Sequence, residues 1–321
     1  MQRARIAATG SYLPKKIMTN EDLSKFMDTT HEWIHTRTGI NQRHVAAQGE
    51  NTSDLGTLAC KDALNAAKLK ATDMDFVVCA TTTPDQIFPS TASIIQGNLK
   101  MQGFAFDLQA VCSGFVFAMN VAKNFIESGQ AKRGLVVGAE TMTKLIDWDD
   151  RSTAVLFGDG AGAVVLEAVE GKGTLDDTGI LGCIIKADGA CHDVLYMTGG
   201  PGSTGDIGKI SMNGRELFRH AVEKLGNVIV ELFEKTGVKQ DQIDWFVPHQ
   251  ANARIIMPAA KKMGLENRTV LTVDQHANTS AGSIPLALDV AVKDGRIKKG
   301  DLVLIDALGA GLHWGAGLIR W

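Results

Sequence analysis

Three side chains able to do covalent or proton chemistry stand in separate motifs: Cys112 in "AVCSGF", His249 in "PHQANARI" and Asn278 in "HANTSAGSIP". Cys112 opens a helical pattern. Unpaired N–H groups and partial positive charge at a helix start favour a thiolate and are expected to lower the thiol pKa. The residues that follow include Phe115, Val116, Phe117, Ala118, Met119, Val121, Ala122, Phe125 and Ile126 and are apolar nearly all round. Such a helix belongs inside the protein, with the thiol at the end of a buried pocket. Plain packing accounts for a buried cysteine equally well. His249 follows a buried strand directly, where α/β sheets gather functional groups, and a hydrogen-bonded structural histidine fits the same place. Asn278, taken alone, is an ordinary cap before a helix.

The elements that must position these residues alternate. Short apolar runs rich in branched residues, at 75–82, 135–140, 163–168, 244–250 and 302–308, read as strands buried on both faces. Helical patterns lie between them, as in "TSDLGTLACKDALNAAKL", "GRELFRHAVEKLGNVIVELFEKTG" and "SIPLALDVAVKDG", so the fold class is α/β. The chain also repeats itself. The block from Asp107 lines up with that from Asp274, 167 positions later, and two further blocks match in the same order. Two similar halves follow, 1–172 with the cysteine and 173–321 with the histidine and asparagine. Glycine-dense 181–210 is expected to cross between them as loop. A pseudo-twofold relating the halves would bring Cys112 and Asn278 to one cavity.

Bulk properties remove several function classes. The 321 residues are 45% hydrophobic, enough for a sizeable core, and the net charge of −3 supplies no global field for nucleic acid or anionic membrane. No apolar run approaches the roughly 20 residues of a membrane span. Five cysteines, at 60, 79, 112, 183 and 191, form no metal-ligand spacing, and their odd number argues against a disulfide framework. A reducing cytoplasm is the expected location.

Together these motifs resemble a family. "GSYLP", "TNEDL", "EWIHTRTGI", "AVCSGF", "FGDGAGA", "PHQANARI", "NTSAGSIP", "DGRIKKGD" and "WGAGL", in this order from residue 10 to Trp321, are similar to the β-ketoacyl-acyl-carrier-protein synthases of type III. The resemblance implies the thiolase fold, five layers αβαβα made of two related halves, and a catalytic triad of Cys112, His249 and Asn278. It implies that an acyl-CoA, usually acetyl-CoA, acylates Cys112, and that malonyl-acyl-carrier-protein (malonyl-ACP) then loses CO2 and condenses with the acyl group. Type II fatty acid synthesis starts with that step. His249 and Asn278 would donate hydrogen bonds to the malonyl thioester oxygen, and the backbone N–H groups of Cys112 and Ala310 would form an oxyanion hole.

The same resemblance assigns binding positions. Trp33, Arg37, Arg151, Gly214, Phe218 and Asn252 would hold CoA. Gln250, Ala251, Asn252, Ala253, Arg254, Arg219, Lys261 and Lys262 would meet the acidic carrier protein. Phe88, in "QIFPS", would reach across a homodimer interface and limit the acyl pocket. No cofactor or metal is implied, acyl-CoA being a substrate.

The sequence departs from the commoner pattern at Leu308 and Ala310 in "ALGAG", at Ser113, and at Pro258, which should kink the following helix or shift its start. Thiolases proper are disfavoured because no cysteine follows Cys191, and elongating synthases because Asn278 rather than a histidine holds the third place, although His276 is near. Cys-His-Asn relatives that use a CoA-bound or unusual acceptor, of polyketide or alkylquinolone type, are the enzymatic alternative.

Overall fold

The computed structural model describes residues 1–321. The chain runs β1 (Gln2–Tyr12), β2 (Lys16–Thr19), α1 (Asn20–Leu23), α2 (His31–Thr38), β3 (Gln42–Val45), α3 (Thr52–Ala67), β4 (Phe76–Ala80), α4 (Thr91–Leu99), β5 (Phe104–Leu108), α5 (Gly114–Glu127), β6 (Arg133–Thr141), α6 (Arg151–Ala154) and β7 (Asp159–Glu170). It continues through β8 (Gly179–Ala187), β9 (Leu195–Met197), β10 (Ile210–Met212), α7 (Gly214–Thr236), β11 (Trp245–Pro248), α8 (Ala253–Lys262), α9 (Val273–His276), α10 (Ser283–Lys293), β12 (Leu302–Gly309) and β13 (His313–Arg320).

Two large sheets carry the fold. The first has the strand order β1-β7-β6-β4-β5 and the second β11-β12-β13-β8. Reading β8-β13-β12-β11 against β1-β7-β6-β4 gives the same succession, with parallel pairs β4/β6 and β11/β12 and antiparallel pairs elsewhere. The missing fifth position of the second sheet is marked by a single parallel bridge, Phe246 to Thr269.

Helices α5 and α10 lie between the sheets, where Phe115, Met119 and Ile126 meet Ile284, Leu288 and Ala291 in one cluster with side chains of both sheets. Helices α3 and α4 cover the outer face of the first sheet and α7 that of the second, each over its own apolar cluster. The result is five layers, αβαβα. Because both faces of both sheets are covered, central strands such as β4 and β12 are buried at every residue.

Two local expectations change. The segment 181–210 is not loop throughout: β8 pairs with β13 along its length, because the second sheet needs the antiparallel edge that β1 supplies to the first, and β9 and β10 form a small ribbon. Pro258 neither breaks nor delays α8, which runs unbroken from Ala253 to Lys262. Its missing N–H removes one bond beyond the first turn.

The repeat is offset by 169 positions where it matters, not 167. Val111 and Ser280, 169 apart, are both non-glycine residues with positive φ (48° and 47°). Each opens a single 3-10 turn that leads into a central helix, Val111–Ser113 into α5 and Ser280–Gly282 into α10. By this register Ala281 is the counterpart of Cys112.

Candidate active site

Cys112 sits on the turn before α5 and is 6% exposed. The end of β12 presses against this turn. A Cβ at Gly309 would lie 2.6 Å from the Cys112 backbone nitrogen and 3.1 Å from the Ala110 oxygen, so only glycine permits the approach. Ala310 is thereby brought to the thiol, and the two residues line one cavity of about 250 Å³ with Thr82, Met142, Phe157 and Ile210 among its walls.

The thiol does not have the lowered pKa expected of a helix start. Burial pushes it up to about 12, and the Glu140 carboxylate adds to the rise; Ser280 opposes them without reversing the shift. Ser280 faces the thiol from the second half, yet its hydroxyl completes no hydrogen bond. Desolvation of a charged sulfur outweighs the field of one helical turn. Glu140, fully buried, is held by the hydroxyls of Thr81, Thr82 and Thr83.

His249 follows β11 and is 8% exposed. Its backbone N–H donates to the Asp306 carbonyl at 2.8 Å, fixing the residue to β12. Nδ1 lies 2.6 Å from Ser283 Oγ, whereas Nε2 has no partner in the protein. Burial drives the imidazole pKa down to about 4, so the ring is neutral near pH 7. A second, smaller cavity of about 70 Å³ opens beside it, lined also by Ala251, Ile255, Leu308 and Asp306, whose carboxyl is pushed up to about 7 by burial. The two unusual positions of "ALGAG" therefore line different cavities, Ala310 on the thiol side and Leu308 on the imidazole side.

Asn278 is clipped to the chain leading into β7: its N–H donates to the Leu156 carbonyl and its own carbonyl accepts from Gly158. Its Oδ1 accepts the Ser280 N–H at 2.8 Å, and Nδ2 is left free to donate elsewhere. Asn278 stands two residues before the turn Ser280–Gly282, which packs against the Cys112 turn, and Ser283, the partner of His249, follows it at the start of α10. The imidazole lines a different cavity from the thiol, and Asn278 lines neither. His276 stays apart. It packs edge-on to His44, 6.2 Å between centroids, and lines neither cavity.

The other expected positions lie farther out. Arg37 and Arg151 hold their guanidinium groups 4.5 and 5.0 Å from the centre of the half-buried Trp33 ring. Gly214 opens α7, and Phe218, 43% exposed, shares an open surface cavity of about 660 Å³ with Arg219. Asn252 caps α8 by accepting the Arg254 N–H at 2.8 Å. Arg254, Lys261 and Lys262 are exposed on α8, Ala251 and Ala253 half-buried beside them, and α8 packs against α7. Phe88 is 81% exposed beside Ile87 at 70%.

Gln250 is a correction. It is 1% exposed, and its amide donates to the Pro248 and Val270 carbonyls and accepts from the Thr272 and Val273 N–H groups, so it ties backbone together instead of meeting a carrier protein. Glu140 and Ser283 were not singled out by sequence reasoning. Ser283 becomes the counterpart of Gly114 only in the 169-residue register of the structure; the 167-residue offset pairs it with Val116.

Comparison with known proteins agrees with this architecture. The family described as 3-oxoacyl-[acyl-carrier-protein (ACP)] synthase III matches residues 106–189, and its C-terminal counterpart matches residues 233–321. A protein of Allorhizobium ampelinum named beta-ketoacyl-[acyl-carrier-protein] synthase III is 54% identical over the whole of both chains, and one of Agrobacterium fabrum with the same name is 53% identical. The crystal structure of 3-oxoacyl-[acyl-carrier-protein] synthase III from Aquifex aeolicus superposes with a TM-score of 0.93 at 45% identity, covering 99% of this chain and 100% of that one. The crystal structure of the priming β-ketosynthase from the R1128 polyketide biosynthetic pathway is also similar, at 34% identity with a TM-score of 0.92, covering 99% of this chain and 96% of that one. With the five-layered thiolase fold in place, the chain belongs to the β-ketoacyl-acyl-carrier-protein synthase III family.

Proposed function

We infer that the protein is a condensing acyltransferase that takes an acyl group from acyl-CoA, with acetyl-CoA the expected primer, and joins it to the two-carbon unit of malonyl-ACP. One observation carries the reading. A cysteine lines an apolar cavity of a size for a short acyl chain, on a turn that packs against the turn between Asn278 and Ser283, the residue that holds His249; His249 Nε2 and Asn278 Nδ2 are neutral donors that no group of the protein uses.

In the first half-reaction the Cys112 sulfur forms a bond to the acyl carbonyl, the bond to the CoA sulfur breaks, and the thiol proton ends on CoA. The N–H groups of Cys112 and Ala310 suit the oxygen that becomes negative. In the second, the malonyl C–C bond breaks to release CO2, and the electron pair moves onto the thioester oxygen as an enolate. Uncharged donors are suited to that oxygen, each worth about 2.7–4 kcal/mol. The carbanion carbon then bonds to the acyl carbon, and the Cys112 sulfur leaves and is reprotonated. Covalent capture divides one condensation into two easier steps.

Trp33 between two guanidinium groups supports binding of the adenine and phosphates of CoA. The exposed cations of α7 and α8 support docking of an acidic carrier protein. The apolar tip at Ile87 and Phe88 supports a homodimer in which Phe88 borders the partner's acyl pocket. No helix is long and apolar enough to cross a membrane, and a cytoplasmic site of action accords with the five free cysteines.

The test is intact-mass measurement after incubation with labelled acetyl-CoA, followed by addition of malonyl-ACP. An adduct on the wild type, absent in Cys112→Ser and discharged as a 3-oxoacyl-ACP, is expected. Discharge by malonyl-CoA but not by malonyl-ACP would refute the acceptor assignment.

A further inference from the structure

The repeat pairs position 114 with 283 and position 80 with 249. In the first half these are Gly114 and Ala80, in direct contact: a Cβ on Gly114 would lie 3.1 Å from the Ala80 Cβ. In the second half the same backbone juxtaposition carries Ser283 and His249, with Oγ and Nδ1 2.6 Å apart. The two halves therefore share a contact that the second alone has furnished with polar groups, and it has done so at the imidazole.

Ser283 is 2% exposed. Its oxygen accepts the Gln250 backbone N–H at 3.2 Å, which cannot act as anything but a donor. The hydroxyl proton then needs an acceptor, and Nδ1 of His249 is the one within reach. Were Nδ1 to carry the ring proton and donate, the Ser283 O–H would be left buried and unpaired, at the cost of an unmade hydrogen bond. The ring is neutral, so it carries one proton, and the hydrogen bond made by one ring nitrogen decides the state of the other.

We propose that Ser283 is the positioning residue that fixes His249 in the tautomer with the proton on Nε2, aimed at the reacting thioester. The proposal rests on the condensing reading above. It explains why a residue that neither touches substrate nor caps its helix in the usual way occupies the first position of α10. It also gives Gln250 a task, since the same hydroxyl is anchored by the Gln250 N–H while the Gln250 side chain ties down the following loop.

The test combines a direct view of the ring with the two half-reactions. In protein labelled with 15N-histidine, with His249 assigned by difference from His249→Asn, the wild type should show a protonated Nε2 and an unprotonated Nδ1. A protonated Nδ1 in the wild type overturns the proposal outright, whatever any variant does. In Ser283→Ala the His249 signals should move toward a mixture of tautomers, decarboxylation of malonyl-ACP should fall by about tenfold or more, up to the roughly 10²–10³ of a lost donor, and transfer of acetyl from CoA to Cys112 should stay within about threefold. Ser283→Thr, which keeps the hydroxyl, should restore decarboxylation. Equal loss of both half-reactions in Ser283→Ala, or no loss of decarboxylation, overturns the proposal. If the wild type performs neither half-reaction, the condensing reading fails instead, and the 15N signature still decides the tautomer.

Discussion

Asn278 Oδ1 accepts the backbone N–H of Ser280 at 2.8 Å, and that bond decides which end of the carboxamide is available to a substrate. The opposite orientation would set an NH2 group against an N–H. Asn278→Asp keeps the acceptor for Ser280 but offers no proton and places negative charge where an enolate must form. Release of CO2 from malonyl-ACP is expected to fall by about 10²–10³, with acetyl transfer to Cys112 largely retained. Radiolabelled CO2 release and adduct mass, measured on the same preparation, separate the two.

The raised thiol pKa makes a prediction of its own. Only thiolate reacts with iodoacetamide. With burial holding the Cys112 pKa near 12, its alkylation rate in the free protein should climb about tenfold per pH unit from pH 7 to 10. A plateau near pH 8, read by peptide mass, would show that the helix start governs after all.

Two histidines connect acidity to activity and stability. Both His249 and His276 are lowered to about 4, His249 by burial and His276 by burial first and by His44 second, against a small opposing effect of Asp274. A neutral ring in the fold with an ordinary pKa of about 6.5 when unfolded contributes stability that is complete above pH 6.5 and is lost as pH falls toward 4. His276→Asn should therefore flatten the acid limb of the stability curve by about 2 kcal/mol at pH 5, measured by urea unfolding against pH. For His249 the consequence is kinetic: decarboxylation should show no inflection near pH 6.5.

Arg37 and Arg151 flank Trp33 on the exposed surface, and Arg151 is also held by the Asp28 carboxylate at 3.2 Å. Arg151→Ala should raise the KM for acetyl-CoA about tenfold, the cost of a charged hydrogen bond, and leave kcat nearly unchanged. The effect should shrink with salt. A drop in kcat alone would place Arg151 elsewhere in the cycle.

The alternation of apolar runs made the layers legible, because strands buried on both faces, such as "DFVVCATT" and "LVLIDAL", need no partner information to be recognised. Strand β1 was not legible. Its run "QRARIAATGSY" keeps neither a strict polar–apolar alternation nor an unbroken apolar stretch, and is explained only by its antiparallel pairing with β7. The repeat was legible but slipped by two, since matching aspartates is easier to see than the positive φ of Val111 and Ser280. Gln250 was assigned to the carrier protein through the resemblance alone, and nothing in its residue type reveals the four backbone partners that bury it. The thiol pKa was misread because a sequence shows the helix start but not the depth of burial.

Gly309 connects the fold to the chemistry most directly. Its absent side chain is what lets β12 touch the nucleophile turn, and both Cys112 and Ala310 depend on that contact for the alignment of their N–H groups. In Gly309→Ala the new Cβ would meet backbone, the Cys112 nitrogen at 2.6 Å, and backbone cannot rotate away as a side chain can. Overpacking of this kind costs about 1–3 kcal/mol, and the displaced turn should depress acetyl transfer and condensation together, unlike Asn278→Asp. Gly226→Ala, on α7 with open space where the Cβ would stand, is the matched control and should gain about 0.5–1 kcal/mol with activity unchanged. Urea unfolding and the two half-reaction assays on both variants check the contrast; a fully active Gly309→Ala would mean that the oxyanion site is not built on this contact.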